Sequence, residues 1–268
     1  MAAVTLGDVT IGYDDIGRGD PVVFVHGHPF DRSMWQPQIE AFADRHRVVV
    51  ADLRGFGQST VVPETTPFRA FADDIAALLD HLGIDRVVLC GLSMGGQIVM
   101  EFQRLYPRRV RGLVLADTSA AAETDQGKAM RYDLADRLVR EGIEEYADEV
   151  LPKMVAPANI DAMPAVAKHV STMMRGTSPV GAAAALRSRA ERPGYLDLLS
   201  ALPIPALVVV GDQDEFTPVD VASDMRGRIP DATLAVIEGA GHMPNLERTE
   251  EFNAVLRHFL DHLPPIDG

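Results

Sequence analysis

Val87-Val88-Leu89-Cys90-Gly91-Leu92-Ser93-Met94-Gly95-Gly96-Gln97 decides how the rest of this chain is read. Its first part is apolar and rich in β-branched residues, which reads as a fully buried strand. It stops at a glycine, and a helix-compatible stretch from Gln97 to Tyr106 follows. Between strand and helix, Gly91-x-Ser93-x-Gly95 has the spacing of a nucleophile elbow. A turn that sharp leaves no room for a Cβ at Gly91 or Gly95. It presents the Ser93 hydroxyl at the positive end of a helix dipole. The same spacing also fits a plain glycine-rich turn, so the functional reading depends on a base, an acid and oxyanion donors elsewhere.

On both sides of the elbow, apolar strands alternate with helical spacing. Val9–Asp14, Pro21–Val25, Arg47–Ala51, Arg111–Ala116, Ala206–Val210 and Thr233–Ile237 read as strands. Met34 to about Arg45 (capped by Ser33), Phe68–Leu82, Val219–Ile229 and Glu247–Leu263 read as helices. Such alternation implies crossover connections and the α/β class: a mostly parallel sheet of about eight strands flanked by helices. Antiparallel pairing is expected only at the first strand or two, across a short turn. The rhythm breaks between Ser119 and Arg192. Four helical segments stand there without a strand: Lys128–Glu141, Ile143–Met154, Met163–Arg175 and Pro179–Ala190. The expected organisation is a core of residues 1–118 and 193–268 with a helical cap, 119–192, inserted in it. Pro264–Gly268 reads as a loose tail.

The chain has 268 residues and is 47% hydrophobic, enough for one large α/β domain with a sizeable core. Lys and Arg number 25 against 39 Asp and Glu, a formal net charge of −14. That balance repels phosphate backbones and anionic membrane surfaces, so no nucleic-acid partner is expected. No run of 18 apolar residues offers a membrane span. The N-terminus lacks a basic region followed by a long apolar run, so a cytoplasmic location without a signal peptide is expected. Cys90 is the single cysteine, which excludes an intrachain disulfide. Inside the elbow strand it reads as a small core residue.

A serine hydroxyl needs a general base within hydrogen-bond reach. Of eight histidines, His242 stands out, because it follows Gly239-Ala240-Gly241 directly after the last strand. That loop belongs to the carboxyl edge of the sheet, where open parallel sheets bind ligands. The base needs a carboxylate to hold its tautomer. Asp214 follows the strand Ala206–Val210 and fits the order serine, acid, histidine; Asp212 and Asp117 are its rivals. One oxyanion donor is expected at the amide of Met94. The second is expected in the loop His26-Gly27-His28-Pro29-Phe30, at the amide of His28, with Phe30 as rival donor and pocket wall. His26 and His28 also have the spacing of a metal pair, but without a supported third ligand no metal is expected.

These motifs stand in family order. The elbow, His26-Gly27-x-Pro29, Asp52-Leu53-Arg54-Gly55-x-Gly57-x-Ser59, Gly211-Asp212-x-Asp214 and Gly239-x-Gly241-His242 together resemble the α/β-hydrolase superfamily over nearly the whole chain. Residues 26–35 resemble small bacterial carboxylesterases and the related cofactor-free haloperoxidases or perhydrolases. The resemblance implies a nucleophile at Ser93, a base at His242, an acid at Asp214 and no cofactor. Ser93 departs from the aspartate that haloalkane dehalogenases and epoxide hydrolases of this fold use at the elbow. It favours acyl chemistry on a small-molecule ester. Perhydrolysis, lactone opening and carbon–carbon bond hydrolysis are alternatives on the same triad, and a ligand receptor of this fold is the non-enzyme alternative. Phe30, Met154, Met173 and Met174 are the expected pocket residues. Neutral short-to-medium acyl groups are expected, because the negative chain should disfavour anionic ones. The oligomeric state is left open.

Overall fold

The computed structural model describes residues 2–264. Eight strands form one sheet in the order β1-β2-β4-β3-β5-β6-β7-β8. They are β1 (Ala2–Leu6), β2 (Val9–Gly17), β3 (Asp20–Val25), β4 (His46–Ala51), β5 (Val87–Leu92), β6 (Val110–Ala116), β7 (Ala206–Gly211) and β8 (Ala232–Ile237). β1–β2 and β2–β4 pair antiparallel, and every later pair is parallel. Parallel strands covered on both faces read as continuous apolar runs, and β5, β6 and β7 are buried at every residue.

The pleat sends alternate residues into two cores. Val23, Val25 and Leu89 join one cluster with residues of α2 (Arg69–His81) and α3 (Met94–Leu105). Val22, Phe24, Val88 and Cys90 join the other, with residues of α1 (Gln36–Phe42) and α12 (Thr249–Asp261). Between β6 and β7 lie α4 (Asp125–Glu141), α5 (Glu144–Met154), α6 (Pro157–Ala162), α7 (Pro164–Gly176), α8 (Pro179–Ala190) and α9 (Leu196–Ser200). α10 (Val219–Arg228) separates β7 from β8, and α11 (Pro244–Glu247) precedes α12. Among the described residues no helix is long and apolar enough to cross a membrane.

Several local expectations shift. β1 is a strand that the sequence reading does not name. It pairs with β2 across Gly7-Asp8, with Gly7 at φ 64°, a glycine-first two-residue hairpin connection. The helix after the 26–30 loop is not capped by Ser33. Asp31 caps a 3₁₀ turn, Arg32–Trp35, by accepting from the Ser33 N–H at 2.8 Å, and α1 starts anew beside Pro37. The segment 119–192 holds five helices where four are expected, α6 being the addition. α9 is a further addition, and the last helix divides into α11 and α12. Beyond Pro264 the expected tail lies outside the described residues.

The helical segment is seated on the core by backbone-to-backbone contact. Gly55, at φ 89°, lies against Gly181 of α8, and a Cβ on Gly181 would fall on the Gly55 carbonyl oxygen. Arg54, next to it, holds Asp74 of α2 through two hydrogen bonds of 2.6 and 2.7 Å. Overpacking such a contact costs about 1–3 kcal/mol, against at most roughly 1 kcal/mol gained from alanine's helix propensity. Gly181→Ala is therefore expected to melt several degrees below the parent in a calorimetric scan. Gly176→Ala is the control, since its Cβ would meet nothing within 4 Å. A raised melting temperature for Gly181→Ala would show that the segment is not seated on this contact.

Candidate active site

Ser93 follows the last residue of β5 with φ 58° and ψ −117°. Among the described residues only Ser93 and Asp117, at the ends of the adjacent strands β5 and β6, are non-glycine with positive φ. Such strain costs on the order of 1–3 kcal/mol and persists only where the surroundings over-determine it. They do so here. A Cβ on Gly91 would fall on the Gly95 carbonyl, and one on Gly95 would fall on the carbonyl of Val25 in β3. The Ser93 N–H donates to the Ala116 carbonyl at 2.9 Å, and Thr118 Oγ1 donates to the Ser93 carbonyl at 2.6 Å. The elbow is thus locked by strands on both sides.

His242 and Asp214 meet at the neighbouring strand ends. His242 Nδ1 lies 2.8 Å from Asp214 Oδ2. A carboxylate only accepts, so Nδ1 carries the proton and Nε2 is left as an acceptor. Asp214 also accepts from Thr217 Oγ1 at 2.5 Å and from the Phe216 N–H at 2.8 Å. Burial alone would raise the pKa of this carboxyl. The charge and hydrogen bond of His242, with these two further donors, outweigh burial and hold it down at about 2. Asp117 has the opposite balance. Burial, then the charge of Asp214, raises its carboxyl well above the ordinary value. Its Oδ1 accepts from the Gly211 N–H at 2.9 Å. Asp212 is exposed and accepts from the Gly239 N–H at 2.8 Å, so it is a loop residue. Of the three carboxylates, Asp214 is the one that bonds His242.

The 26–30 loop packs directly on the elbow, because a Cβ on Gly27 would stand 3.1 Å from Ser93 Cβ. The Phe30 N–H donates to the Gly27 carbonyl at 3.1 Å, so the rival donor is engaged. Among the described residues the amides of His28 and Met94 have no hydrogen-bond acceptor, which leaves both available to an oxyanion. Both histidine rings bond the backbone, His26 through both nitrogens and His28 through one. His26 Nε2 accepts from the Leu53 N–H at 2.9 Å, while Nδ1 donates to the Gly27 carbonyl at 2.9 Å. His28 Nε2 donates to the Ala182 carbonyl of α8 at 3.2 Å. Burial, and after it the charge of Arg189, brings the pKa of His28 down to about 3, so the ring is neutral. Both ring nitrogens of His26 are engaged, so it has none to offer a metal beside His28. The carboxylates of Asp117 and Asp214 with His242 are close enough to share a cation. A cation there would have to displace the proton between His242 and Asp214.

Ser93 and His242 open into one cavity of about 590 Å³, which Met154, Tyr146, Arg189 and Phe216 also line. No hydrogen bond joins Ser93 Oγ to His242 among the described residues; in unliganded sites this bond often tightens only with substrate. Of the expected pocket residues, Met154 lines the cavity. Phe30, Met173 and Met174 do not, and this corrects their assignment. They are buried in the core cluster with Trp35 and Val170, because the apolar face of α7 turns towards the 3₁₀ turn at Arg32–Trp35. Phe216 is a wall residue that sequence reasoning missed. Its ring stands 5.0 Å from that of His242, centroid to centroid, in an edge-on arrangement. The signal was available, since an aromatic two residues after Asp214 has to lie beside the acid. Glu247 was missed too. It is buried at the end of α11 and accepts from the Gly241 N–H at 2.9 Å and the Met243 N–H at 3.3 Å, on both sides of His242.

Comparison with known proteins identifies the fold. A thermophilic esterase from Thermogutta terrifontis, solved with malate bound, superposes with a TM-score of 0.95 at 39% identity, covering 97% of this chain and 98% of that one. A 3-oxoadipate enol-lactonase of Acinetobacter baylyi is 31% identical over 266 residues, 96% of each chain. A non-heme chloroperoxidase of Kitasatospora aureofaciens is 32% identical, over 94% of this chain and 96% of its own. The family model of the α/β-hydrolase fold matches residues 20–249, a span that holds the 26–30 loop, the elbow, Asp214 and His242. By that match and by its sheet, the chain belongs to the α/β-hydrolase fold family.

Proposed function

We propose that this chain is a serine hydrolase that cleaves carboxylic esters, with Ser93 as nucleophile, His242 as base and Asp214 as the acid that orients it. The observation that carries the reading is the 2.8 Å bond from His242 Nδ1 to Asp214, beside a strained Ser93 in the same cavity. Ser93 Oγ attacks the carbonyl carbon while His242 Nε2 takes its proton. The amides of Met94 and His28 hold the oxyanion. His242 then gives its proton to the leaving alkoxide, and water activated by the same nitrogen releases the acid from the acyl-enzyme. The insertion 119–192 acts as a cap whose Met154, Tyr146 and Arg189 wall the pocket. Lactone opening is the second reading. It uses the same steps, and the similarity to the enol-lactonase over 96% of both chains favours it. The expected setting is cytoplasmic, without a nucleic-acid or membrane partner.

Ser93→Ala should abolish turnover of p-nitrophenyl butyrate in a protein that still melts cooperatively. Loss of a triad nucleophile costs on the order of 10⁶ in kcat. A variant retaining a tenth of the parent rate would remove Ser93 from the mechanism.

The two buried carboxylates predict a split. Two adjacent buried carboxyls do not both ionise, and Asp214 holds the three donors. Asp117→Asn keeps a neutral group of the same shape and an acceptor for the Gly211 N–H, and should retain most activity. Asp214→Asn favours the wrong histidine tautomer, a change that costs up to roughly 10⁴ in kcat in trypsin-type proteases. The reverse ranking in steady-state kcat would move the acid to β6.

Acyl length and metal dependence give a third check. Each buried methylene adds about 0.8 kcal/mol until the pocket is full. Along a series of p-nitrophenyl esters from acetate to palmitate, kcat/KM should rise and then fall before palmitate. EDTA should leave these rates unchanged. Inactivation by EDTA that zinc reverses would place a metal on Asp117, Asp214 and His242.

A further inference from the structure

Two guanidinium groups line the cavity, Arg131 and Arg189. Arg131 is neutralised by an ion pair with Glu123, which lines the cavity with it. Arg189 has no carboxylate partner among the described residues. Its one side-chain hydrogen bond runs from Nε to Gln97 Oε1 at 2.7 Å, a neutral acceptor that leaves the terminal nitrogens of the fork free. Burial, then the charges of Arg131 and Arg192, push its pKa well below the usual guanidinium value. A guanidinium nevertheless keeps its proton. The cavity therefore holds a half-buried positive charge with no hydrogen-bonded carboxylate of its own; the one carboxylate in the cavity, Glu123, acts on it but is already engaged by Arg131. Such a charge is costly until it is paired.

The position of Arg189 is as informative as its charge. Gln97 lies one turn into α3, its N–H on the Ser93 carbonyl at 3.3 Å. One helical turn is about 5.4 Å. Gln97 thus anchors the Arg189 fork a short distance from the nucleophile, and its amide is braced in turn on Ser119 Oγ at 3.5 Å. A planar fork of this kind matches a carboxylate in two parallel hydrogen bonds.

We propose that Arg189 binds a free carboxylate carried by the substrate, so that the preferred substrates are esters or lactones with an anionic carboxylate a short chain away from the scissile carbonyl. This rests on the ester-hydrolysis reading of Ser93. It replaces the preference for neutral acyl groups that the net charge of −14 suggested. The acidic residues that produce that net charge are not the ones that line the cavity. Glu123 is the one acidic residue among those that do, and Arg131 pairs with it.

The test compares kcat/KM for mono-p-nitrophenyl glutarate with that for p-nitrophenyl valerate, which lacks the terminal carboxylate. The parent should prefer the half-ester. Arg189→Met should lower the ratio roughly tenfold to hundredfold, the scale of a charge-assisted hydrogen bond. Arg189→Lys should recover part of it. Arg187→Met removes a neighbouring cation that pairs with Asp136 and does not line the cavity, and it should leave the ratio unchanged. A second pair, 4-acetoxybenzoate and phenyl acetate, places the carboxylate on the alcohol side. A ratio that depends on Arg189 only there would assign the carboxylate to the leaving group. Binding is read separately from turnover by calorimetry on Ser93→Ala, where monomethyl glutarate should bind more tightly than dimethyl glutarate and lose that advantage when Arg189→Met is added. If neither ester pair favours the anion and monomethyl glutarate gains nothing from Arg189, the inference is overturned, while hydrolysis of the valerate would leave the ester reading standing. If no ester is turned over, the ester reading fails and the calorimetry alone decides the role of Arg189.

Discussion

The carboxylate of Glu247 is the joint on which the two halves of the site depend. It is buried at 1% exposure and accepts from four donors. Two are the N–H groups of Gly241 and Met243, which flank His242. Two belong to the insertion: the Ala156 N–H at 2.8 Å and Asn159 Nδ2 at 2.7 Å. The His242 N–H adds a direct link, donating to the Met154 carbonyl at the end of α5 at 3.1 Å. A histidine loop built on glycines has little stiffness of its own. Here it takes its shape from the segment that also walls the pocket. Removing the Glu247 carboxylate would leave several buried donors unpaired, each costing about 1–3 kcal/mol. Displacement of the helices between β6 and β7 would therefore disturb the placement of His242 as well as the pocket.

The opposite side of the site is held by sterics. Gly91, Gly95 and Gly27 bring three backbone segments into contact around Ser93, and its positive φ persists because no neighbouring segment can retreat. This explains why the elbow was legible in the sequence. Glycine spacing reports backbone geometry directly, and a buried parallel strand reports itself as an apolar run. The order of the strands' carboxyl ends then pointed to Asp214 and His242 without any knowledge of side-chain contacts.

The remainder of the site was less legible, for physical reasons that differ by residue. Phe30, Met173 and Met174 are apolar, but residue type does not say whether an apolar helix face meets a cavity or a core. The spacing of Val166, Val170 and Met173/Met174 along α7 gives a face, and only the packing partner decides what covers it. Glu247 and Arg189 look in sequence like ordinary charged positions on helices. Their partners, Ala156 and Gln97, lie 91 and 92 residues away, so no local pattern marks them. β1 was missed because five residues are too few to show a period, although the Gly7-Asp8 turn was a usable signal.

Charge shows the same gap between a sum and an arrangement. A net charge of −14 describes the field that an approaching ion meets at a distance, and salt screens that field beyond about 8–10 Å. Inside the cavity the charges are few and local. Asp214 is held ionised behind His242 at a pKa of about 2. His28 is held neutral at about 3, so it adds no cation beside Ser93. Arg131 and Glu123 cancel. Arg189 is what remains, and a low-dielectric wall strengthens its effect on a bound group well beyond its value in water. The proposed substrate choice thus turns on one cation held by Gln97, a helical turn from Ser93, while the acidic surface influences how fast anions arrive.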